Sequence, residues 1–302
     1  MASDFALCAD SSRASGEPLA GTGSPYRAFM LLEYRPNWHP KTTKIGNSSV
    51  DIGLQSYIST AMETAGDVQL LYIRQLNRRD GPLRCFFAFP DAFAPRIYAI
   101  DLAQYTDILQ YPLADWLGGD IPETHAHEEP IYAVCAHKER DRACGTYGWE
   151  VYSALRELVG GQVWQSSHIG GHRYAGTLLA FPRGTYYGHL EGSDAAPLVE
   201  AEERDQLYLA KLRGRACYDN PAQAAEATLR EKLDLLDYNA LRLKSLSEVG
   251  AQQWQVAFAQ RDGTEYVLDV QRQQSEYTVV KSSGGTPEAV KVYTANLREE
   301  TV

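Results

Sequence analysis

The sequence predicts an α/β protein made of two successive units, followed by a C-terminal extension of one helix and a β-hairpin. At 302 residues the chain exceeds the usual size of one domain. Apolar β-rich runs alternate with helical patterns, and the order strand, helix, strand, hairpin, helix occurs twice. We expect units at 1–120 and 121–215, with the extension at 216–302. The repeated order indicates a duplicated thioredoxin-like unit.

Each element of the first unit has a local signal. The buried run YRAFMLLEY predicts a strand, and helical spacing of apolar residues over 50–66, stopped by Gly66, predicts a helix. Three β-rich runs follow, with the turn-forming stretches NRRDGP and PDAFAP between them. They are VQLLYIRQL, LRCFFAFP and RIYAIDL, and the stretch AQYTDILQY after them predicts a short helix.

The second unit repeats this order. It consists of a strand in EPIYAVCAH, a helix in WEVYSALRELVGG, a strand in QVWQSS, a hairpin of TLLAFPRG and TYYGHL, and a helix over 198–214. Beyond it, 220–238 predicts a helix, with Asn220 as its cap and Pro221 in its first turn. The stretch 254–271 predicts a hairpin turning at Asp262-Gly263, and 275–282 predicts a third strand. We interpret this extension as structural or as a docking surface.

Composition excludes several classes of protein. A formal net charge of −10 opposes binding to nucleic acid or to an anionic membrane, because both attract clustered lysine and arginine. The first residues lack the basic and apolar regions of a secretory signal, and no apolar run is long enough to span a bilayer, so we expect a cytoplasmic protein. Five cysteines, an odd number, argue against a disulfide framework, and Cys8, Cys85 and Cys217 are expected to be free or buried thiols.

Four other residues form the one pattern that carries chemistry: Cys135, Cys144, His168 and His172. The first cysteine ends a predicted strand and the second stands just before a predicted helix, whose free N–H groups would stabilise a thiolate. Two glycines between the histidines oppose a continuous helix and let the backbone pass close to a bulky centre. Two sulfur and two nitrogen ligands are typical of zinc or of an iron-sulfur cluster, and the residues alone leave that choice open.

The stretch from Ile131 to Leu190 resembles the sucrase/ferredoxin-like family of thioredoxin-like 2Fe-2S proteins. The resemblance rests on Cys135, Arg140-Asp141, Cys144-Gly145, the run VWQSSHIGGHRYAG and the trailing YYGHL. The N-terminal CADSSRASGEPLAGTGSPYRAFMLLE and the later RGRACYDNPAQAAEATLR also resemble the family, so the likeness covers most of the chain. One departure is Ser282-Ser283, where the family often has a cysteine.

The resemblance implies a 2Fe-2S cluster with one iron bound by Cys135 and Cys144 and the other by His168 and His172. Neutral imidazoles in place of thiolates raise the potential, which spans roughly −150 to +300 mV in Rieske centres against about −400 mV in plant-type ferredoxins. Their second ring nitrogens couple electron transfer to protons, so the potential falls as pH rises. Supporting roles around the ligands are implied for Arg140, Asp141, Gly145, Gly170, Gly171 and Arg173, and His137 is a weaker candidate ligand.

These features favour a one-electron carrier over a stand-alone enzyme. With no glycine-rich dinucleotide fingerprint, the chain would depend on a separate reductase and an acceptor protein, and its acidic charge would suit a basic reductase. The alternative is a structural zinc-binding interaction module that uses the same four ligands. A thiol oxidoreductase is disfavoured because the chain has no C-x-x-C motif, and nothing selects the carboxylate pair that a glycosidase requires. The oligomeric state is left open.

Overall fold

The computed structural model describes residues 7–39 and 48–298 as a mixed α/β fold with two sheets. The elements of the N-terminal half are α1 (Cys8–Ala14), β1 (Ala28–Glu33), α2 (Ile52–Ala65), β2 (Val68–Arg74), β3 (Leu83–Phe89), β4 (Arg96–Leu102) and α3 (Leu113–Gly118). Those of the next part are β5 (Ile131–Cys135), α4 (Arg142–Val159), β6 (Val163–Ser166), β7 (Leu178–Phe181), β8 (Thr185–Tyr187), α5 (Ala195–Glu203) and β9 (Leu212–Arg215). The C-terminal elements are α6 (Asn220–Leu233), β10 (Leu241–Gly250), β11 (Gln253–Gln260), β12 (Glu265–Val280) and β13 (Pro287–Leu297).

The first nine strands form one sheet in the order β4-β3-β1-β2-β6-β5-β7-β8-β9. In the first half, β1 lies parallel to β2 and antiparallel to β3, which is antiparallel to β4. In the second half, β5, β6, β7 and β8 repeat these relations one for one. The predicted α/β class and the repeated order of strands are therefore confirmed. The halves join edge to edge, because β2 pairs antiparallel with β6.

The central strands are apolar because both of their faces are covered. Every residue of β1 and of β5 is buried, which matches the continuous apolar runs that predicted them. Helix α2 buries Leu54 and Ile58 against the first half. Helix α4 buries Val151 and Leu155 against the second half. The carboxyl ends of β5 and β6 consequently meet at one edge, where the predicted ligands begin.

Two helix predictions in the second unit were wrong in extent. Helix α4 begins at Arg142, seven residues before the predicted start at Trp149, because Asp141 caps it and tertiary packing overrides the low helix propensity of Gly145 and Gly148. The helix predicted over 198–214 ends at Glu203, and its last residues form β9, which pairs with β8. Leucines at helical spacing produced that error, since the pattern also fits a turn followed by a buried strand.

The C-terminal extension holds more strands than its sequence predicted. The predicted hairpin and third strand belong to a four-stranded antiparallel sheet in the order β10-β11-β12-β13. Strands β10 and β13 carry polar residues on an exposed face, so their apolar signal was weak. Helix α6 packs Leu229 against Phe258 and Val256 of this sheet. Among residues 7–39 and 48–298, no helix has both the length and the apolar character that a membrane span requires.

Candidate metal centre

The two cysteines of the predicted pattern lie together at the end of the central strand. Cys135 is the last residue of β5 and Cys144 is in the first turn of α4, within the helix rather than before it as predicted. Both side chains are buried. The close approach depends on Gly148 of α4, because a Cβ atom there would lie 2.0 Å from the carbonyl oxygen of Cys135. Glycine at this position allows the helix to rest on the strand end.

His168 completes a compact group with the two thiols. It follows β6, which runs parallel to β5 and ends at the same edge of the sheet. Its Nδ1 atom lies 3.8 Å from Cys135 Sγ and 3.9 Å from Cys144 Sγ. The ligand atoms of the three residues all lie within 4.8 Å of one another. Two sulfurs and one imidazole nitrogen in this arrangement suit a thiophilic metal.

His172 lies beside His168 but outside the compact group. Gly170 and Gly171 take φ values of +105° and +68°, so the chain turns sharply between the histidines, and no helix joins them. The two imidazole rings have centroids 5.2 Å apart. The Nε2 atom of His172 lies 2.9 Å from Ser282 Oγ. Its Nδ1 atom is buried and has no hydrogen-bond partner in the described part of the chain, which leaves that nitrogen available as a ligand atom.

The two thiols are electrostatically linked. Hydrogen bonding with Cys144, helped by the neighbouring His168, brings the pKa of Cys135 well below its usual value. The same hydrogen bond and burial hold the pKa of Cys144 well above the usual value. Cys135 is therefore the thiol that loses its proton more readily, and a bound cation would require both thiols to be deprotonated. Metal binding at this group would release the thiol protons.

Burial also keeps the nearby imidazoles neutral. Desolvation lowers the pKa of His172, and the carboxylate of Asp141 opposes this only in part. The pKa of His137 is lowered for the same reason. Neutral imidazole is the form that binds metal ions. The electrostatics at neutral pH therefore favour coordination.

Asp141 ties the helix to the C-terminal sheet. It is the N-cap of α4 and accepts a hydrogen bond from Ala143 N–H at 2.8 Å. It also accepts hydrogen bonds from Ser283, at 2.6 Å from the hydroxyl and 2.9 Å from the backbone N–H. Burial would raise the pKa of Asp141, but these hydrogen bonds outweigh it and lower the pKa. The carboxylate thus links the cysteine-bearing helix to the turn after β12.

Sequence reasoning missed the contribution of both chain ends. Cys8, at the start of α1, donates its backbone N–H to Ser283 Oγ at 3.2 Å, and its Sγ lies 3.6 Å from Asp141 Oδ1. Burial raises the pKa of the Cys8 thiol to about 11, so it is a neutral thiol. The turn that follows β12 supplies Ser282 to His172. The sequence signals for both came from the resemblance, which marked Ser282-Ser283 as a place where the family often has cysteine and Cys8 as a recurrent family cysteine, interpreted above as a free or buried thiol.

The other predicted residues are placed as follows. Arg140 is exposed on the loop before α4. Gly145 packs against Lys138, where a Cβ atom would lie 2.6 Å from that side chain. Arg173 forms an ion pair with Glu17 at 2.8 Å. His137 is buried with its Nε2 atom 3.0 Å from the carbonyl oxygen of His39.

The other thiols are free, as predicted. All five cysteines lie within the described residues, and none forms a disulfide. Cys85 is buried in β3, and Cys217 is partly buried after β9. Cys8 alone of these three contacts a residue of the candidate centre.

Together, this geometry defines an α/β protein with a repeated strand topology that carries a Cys/His group of metal-ligand type. The sucrase/ferredoxin-like family model matches residues 19–214, about two thirds of the chain. The chain belongs to this family, as its motifs indicated. Comparison with curated proteins and with solved structures gave no match. The four predicted ligands all fall within the matched region, whereas Ser282 and Ser283 lie outside it.

Proposed function

We propose that this chain is a one-electron transfer protein that carries a 2Fe-2S cluster held by two cysteine and two histidine ligands. The observation that supports this most is the convergence of Cys135, Cys144 and His168, with the unpartnered Nδ1 of His172 beside them. The donor set fits the group, because two thiolates and two imidazoles suit an iron-sulfur centre. When bound, such a cluster supplies a site that gains and loses one electron at a comparatively high potential.

The chain's own residues have distinct tasks in this proposal. Cys135 and Cys144 hold one iron as thiolates, and His168 and His172 hold the other. Coordination through Nδ1 of His172 leaves the proton on Nε2, which then donates to Ser282 Oγ at 2.9 Å. Burial of both cysteines excludes water from the sulfur side. The imidazole side, only half-buried, is the side from which a proton or an electron-transfer partner arrives.

A separate reductase and an acceptor protein complete the proposal, since the chain carries no dinucleotide fingerprint. The proposal also keeps the cytoplasmic location that the sequence predicts.

Solution electrochemistry tests the histidine ligands. We expect a potential that falls as pH rises, approaching about 59 mV per pH unit where one proton accompanies each electron. His172→Cys should lower the potential and weaken its pH dependence, because a thiolate replaces a neutral, protonatable ligand.

His125→Gln is the matched control, because that imidazole packs against Trp116, away from the ligands. It should leave both the potential and its slope unchanged. An unaltered potential and slope in His172→Cys would rule out His172 as a ligand.

A structural zinc site with the same residues is the second candidate. It is favoured by the compactness of the Cys135, Cys144 and His168 group, whose ligand atoms are near enough to share one ion. Zinc would make the protein colourless and inactive in electron transfer. Metal content and visible absorption distinguish the two candidates.

A further inference from the structure

A cavity of about 300 Å³ opens beside the histidine turn, between the two sheets. Its walls come from the N-terminal loop around Gly21 and Thr22, from Gly171 and Arg213, and from strands β12 and β13. The C-terminal sheet contributes Arg272 and Lys291. Four cationic side chains line the cavity, Arg173 being the fourth, and no aspartate or glutamate is among its lining residues. This local excess of positive charge stands out in a chain of net charge −10.

Arg213 has a buried charge without a carboxylate partner. Its guanidinium donates to Thr22 Oγ1 at 3.0 Å, to the Thr22 carbonyl at 2.6 Å and to the Gly170 carbonyl at 3.3 Å. These acceptors are neutral. Arg215, two residues further along β9, is equally buried but pairs with Glu226 at 2.6 Å. The contrast matters because a buried charge is costly unless it is paired.

The other three cationic side chains do not remove the excess of positive charge in the cavity. Arg173 is paired with Glu17. Within the described ranges, Arg213, Arg272 and Lys291 form no ion pair. Ser24 and Tyr293 add hydroxyl groups to the wall, whereas the Thr22 hydroxyl donates to the Leu19 carbonyl and the Asn220 amide donates to the Gly23 carbonyl. An anion in the cavity would offset part of this positive charge and could accept hydrogen bonds from the hydroxyls of Ser24 and Tyr293.

The volume of the cavity and the side chains that line it indicate the class of ligand. The volume is at the lower end of the range of small-molecule sites, which begins at roughly 300 Å³. Clustered arginine and lysine are the side chains that bind phosphate oxygens best. Pro18, Ala20 and Val292 add an apolar part to the wall. We propose that this cavity binds a small phosphorylated molecule, with the phosphate held by Arg213, Arg272 and Lys291.

Calorimetric titration of the full-length protein tests this site, with glycerol 3-phosphate, inorganic phosphate and sulfate as probes at constant ionic strength. We expect one saturable site that prefers glycerol 3-phosphate. Arg272→Gln and Lys291→Gln should each weaken binding by about tenfold, since each removes a charge-assisted contact. The experiment does not depend on which metal the centre holds.

Lys244→Gln is the matched control. It makes the same charge change on the same C-terminal sheet, at a lysine that pairs with Glu265 and lines a different cavity. It should bind glycerol 3-phosphate like the wild type. The proposal is overturned if no probe binds saturably, or if Lys244→Gln weakens binding as much as the other two variants. Equal affinity for all three probes would contradict the assignment to a phosphorylated molecule.

Discussion

The two halves of the nine-stranded sheet share one strand order but end their first strands with different chemistry. In the first half, β1 ends at Glu33, which is fully buried and paired with Arg35 and Arg78. In the second half, β5 ends at Cys135, which faces Cys144 and His168. In each half an aspartate caps the helix that follows, Asp51 for α2 and Asp141 for α4. One topology thus positions an ion-pair network in one place and a candidate metal centre in the other.

The first half also supports the centre of the second. Beyond β1, the His39 carbonyl lies 3.0 Å from His137 Nε2. The Trp38 ring packs on the His137 ring at 5.4 Å and beneath the Arg74 guanidinium at 4.1 Å. The comparison shows that two equivalent strand ends of one sheet carry different groups, a buried ion-pair network in the first half and the candidate metal centre in the second.

The largest expected effect is on metal content. Cys144→Ser should abolish stoichiometric metal binding, because it removes a ligand from a group of three atoms within 4.8 Å. Elemental analysis of the purified protein measures this. Cys217→Ser is the matched control, since that thiol is partly buried after β9 and away from the centre, and it should keep the full metal content. Full metal content in Cys144→Ser would remove that thiol from the ligand set.

Substitutions in the first half should change the stability of the protein rather than its metal content. Glu33→Gln should lower the free energy of unfolding by about 3 kcal/mol, because it leaves two arginines without their buried carboxylate. Asp101→Asn breaks an exposed pair with Arg84 and should cost less than about 1 kcal/mol. Urea unfolding monitored by circular dichroism compares them. If Glu33→Gln lost its metal while remaining folded, the division of roles between the two halves would be wrong.

The two capping aspartates distinguish helix capping from support of the candidate metal centre. Asp51→Ala should cost about 1 kcal/mol of stability through the lost cap, and Asp141→Ala should cost more, because it also leaves the two donors of Ser283 without their acceptor. Only Asp141→Ala should weaken metal retention, by about tenfold or more, because its carboxylate also holds the turn that contacts His172. Competition with a chelator measures retention. Equal retention in both variants would leave Asp141 as a helix cap alone.

The smallest effect is expected at Ser282. Ser282→Ala removes the hydroxyl that lies 2.9 Å from His172 Nε2, and it should speed metal loss several-fold with little change in stability. Ser275→Ala is the control, because its hydroxyl accepts from Val290 N–H within the same sheet, away from the histidines. Chelator-induced metal loss should be unaltered in that control. Identical rates in both variants would exclude a role for Ser282.

The features that sequence reasoning found are those with local signals. The buried runs of β1 and β5 stand out because both of their faces are covered, and the ligand residues stand out because cysteine and histidine are rare. The start of α4 was missed because its cap lies in a charged loop and two glycines follow. The capping aspartate favours a helix start and the two glycines oppose it. Only the packing of α4 on the end of β5 decides where the helix begins.

The remaining features have no local signal. Contacts of Asp141 with Ser283 and of His172 with Ser282 span 142 and 110 residues. Serine in a polar turn is ordinary, so its position beside a buried imidazole follows only from how the C-terminal sheet docks. The same holds for Arg213, whose missing carboxylate is visible only beside the paired Arg215.

The central claim is tested most directly by purifying the full-length protein without air and measuring its iron, inorganic sulfide and zinc together with its visible absorption. The account predicts about two irons and two sulfides per chain. It also predicts broad charge-transfer bands that bleach on reduction. A colourless protein with about one zinc and no iron would contradict it, and would assign Cys135, Cys144, His168 and His172 to a structural site.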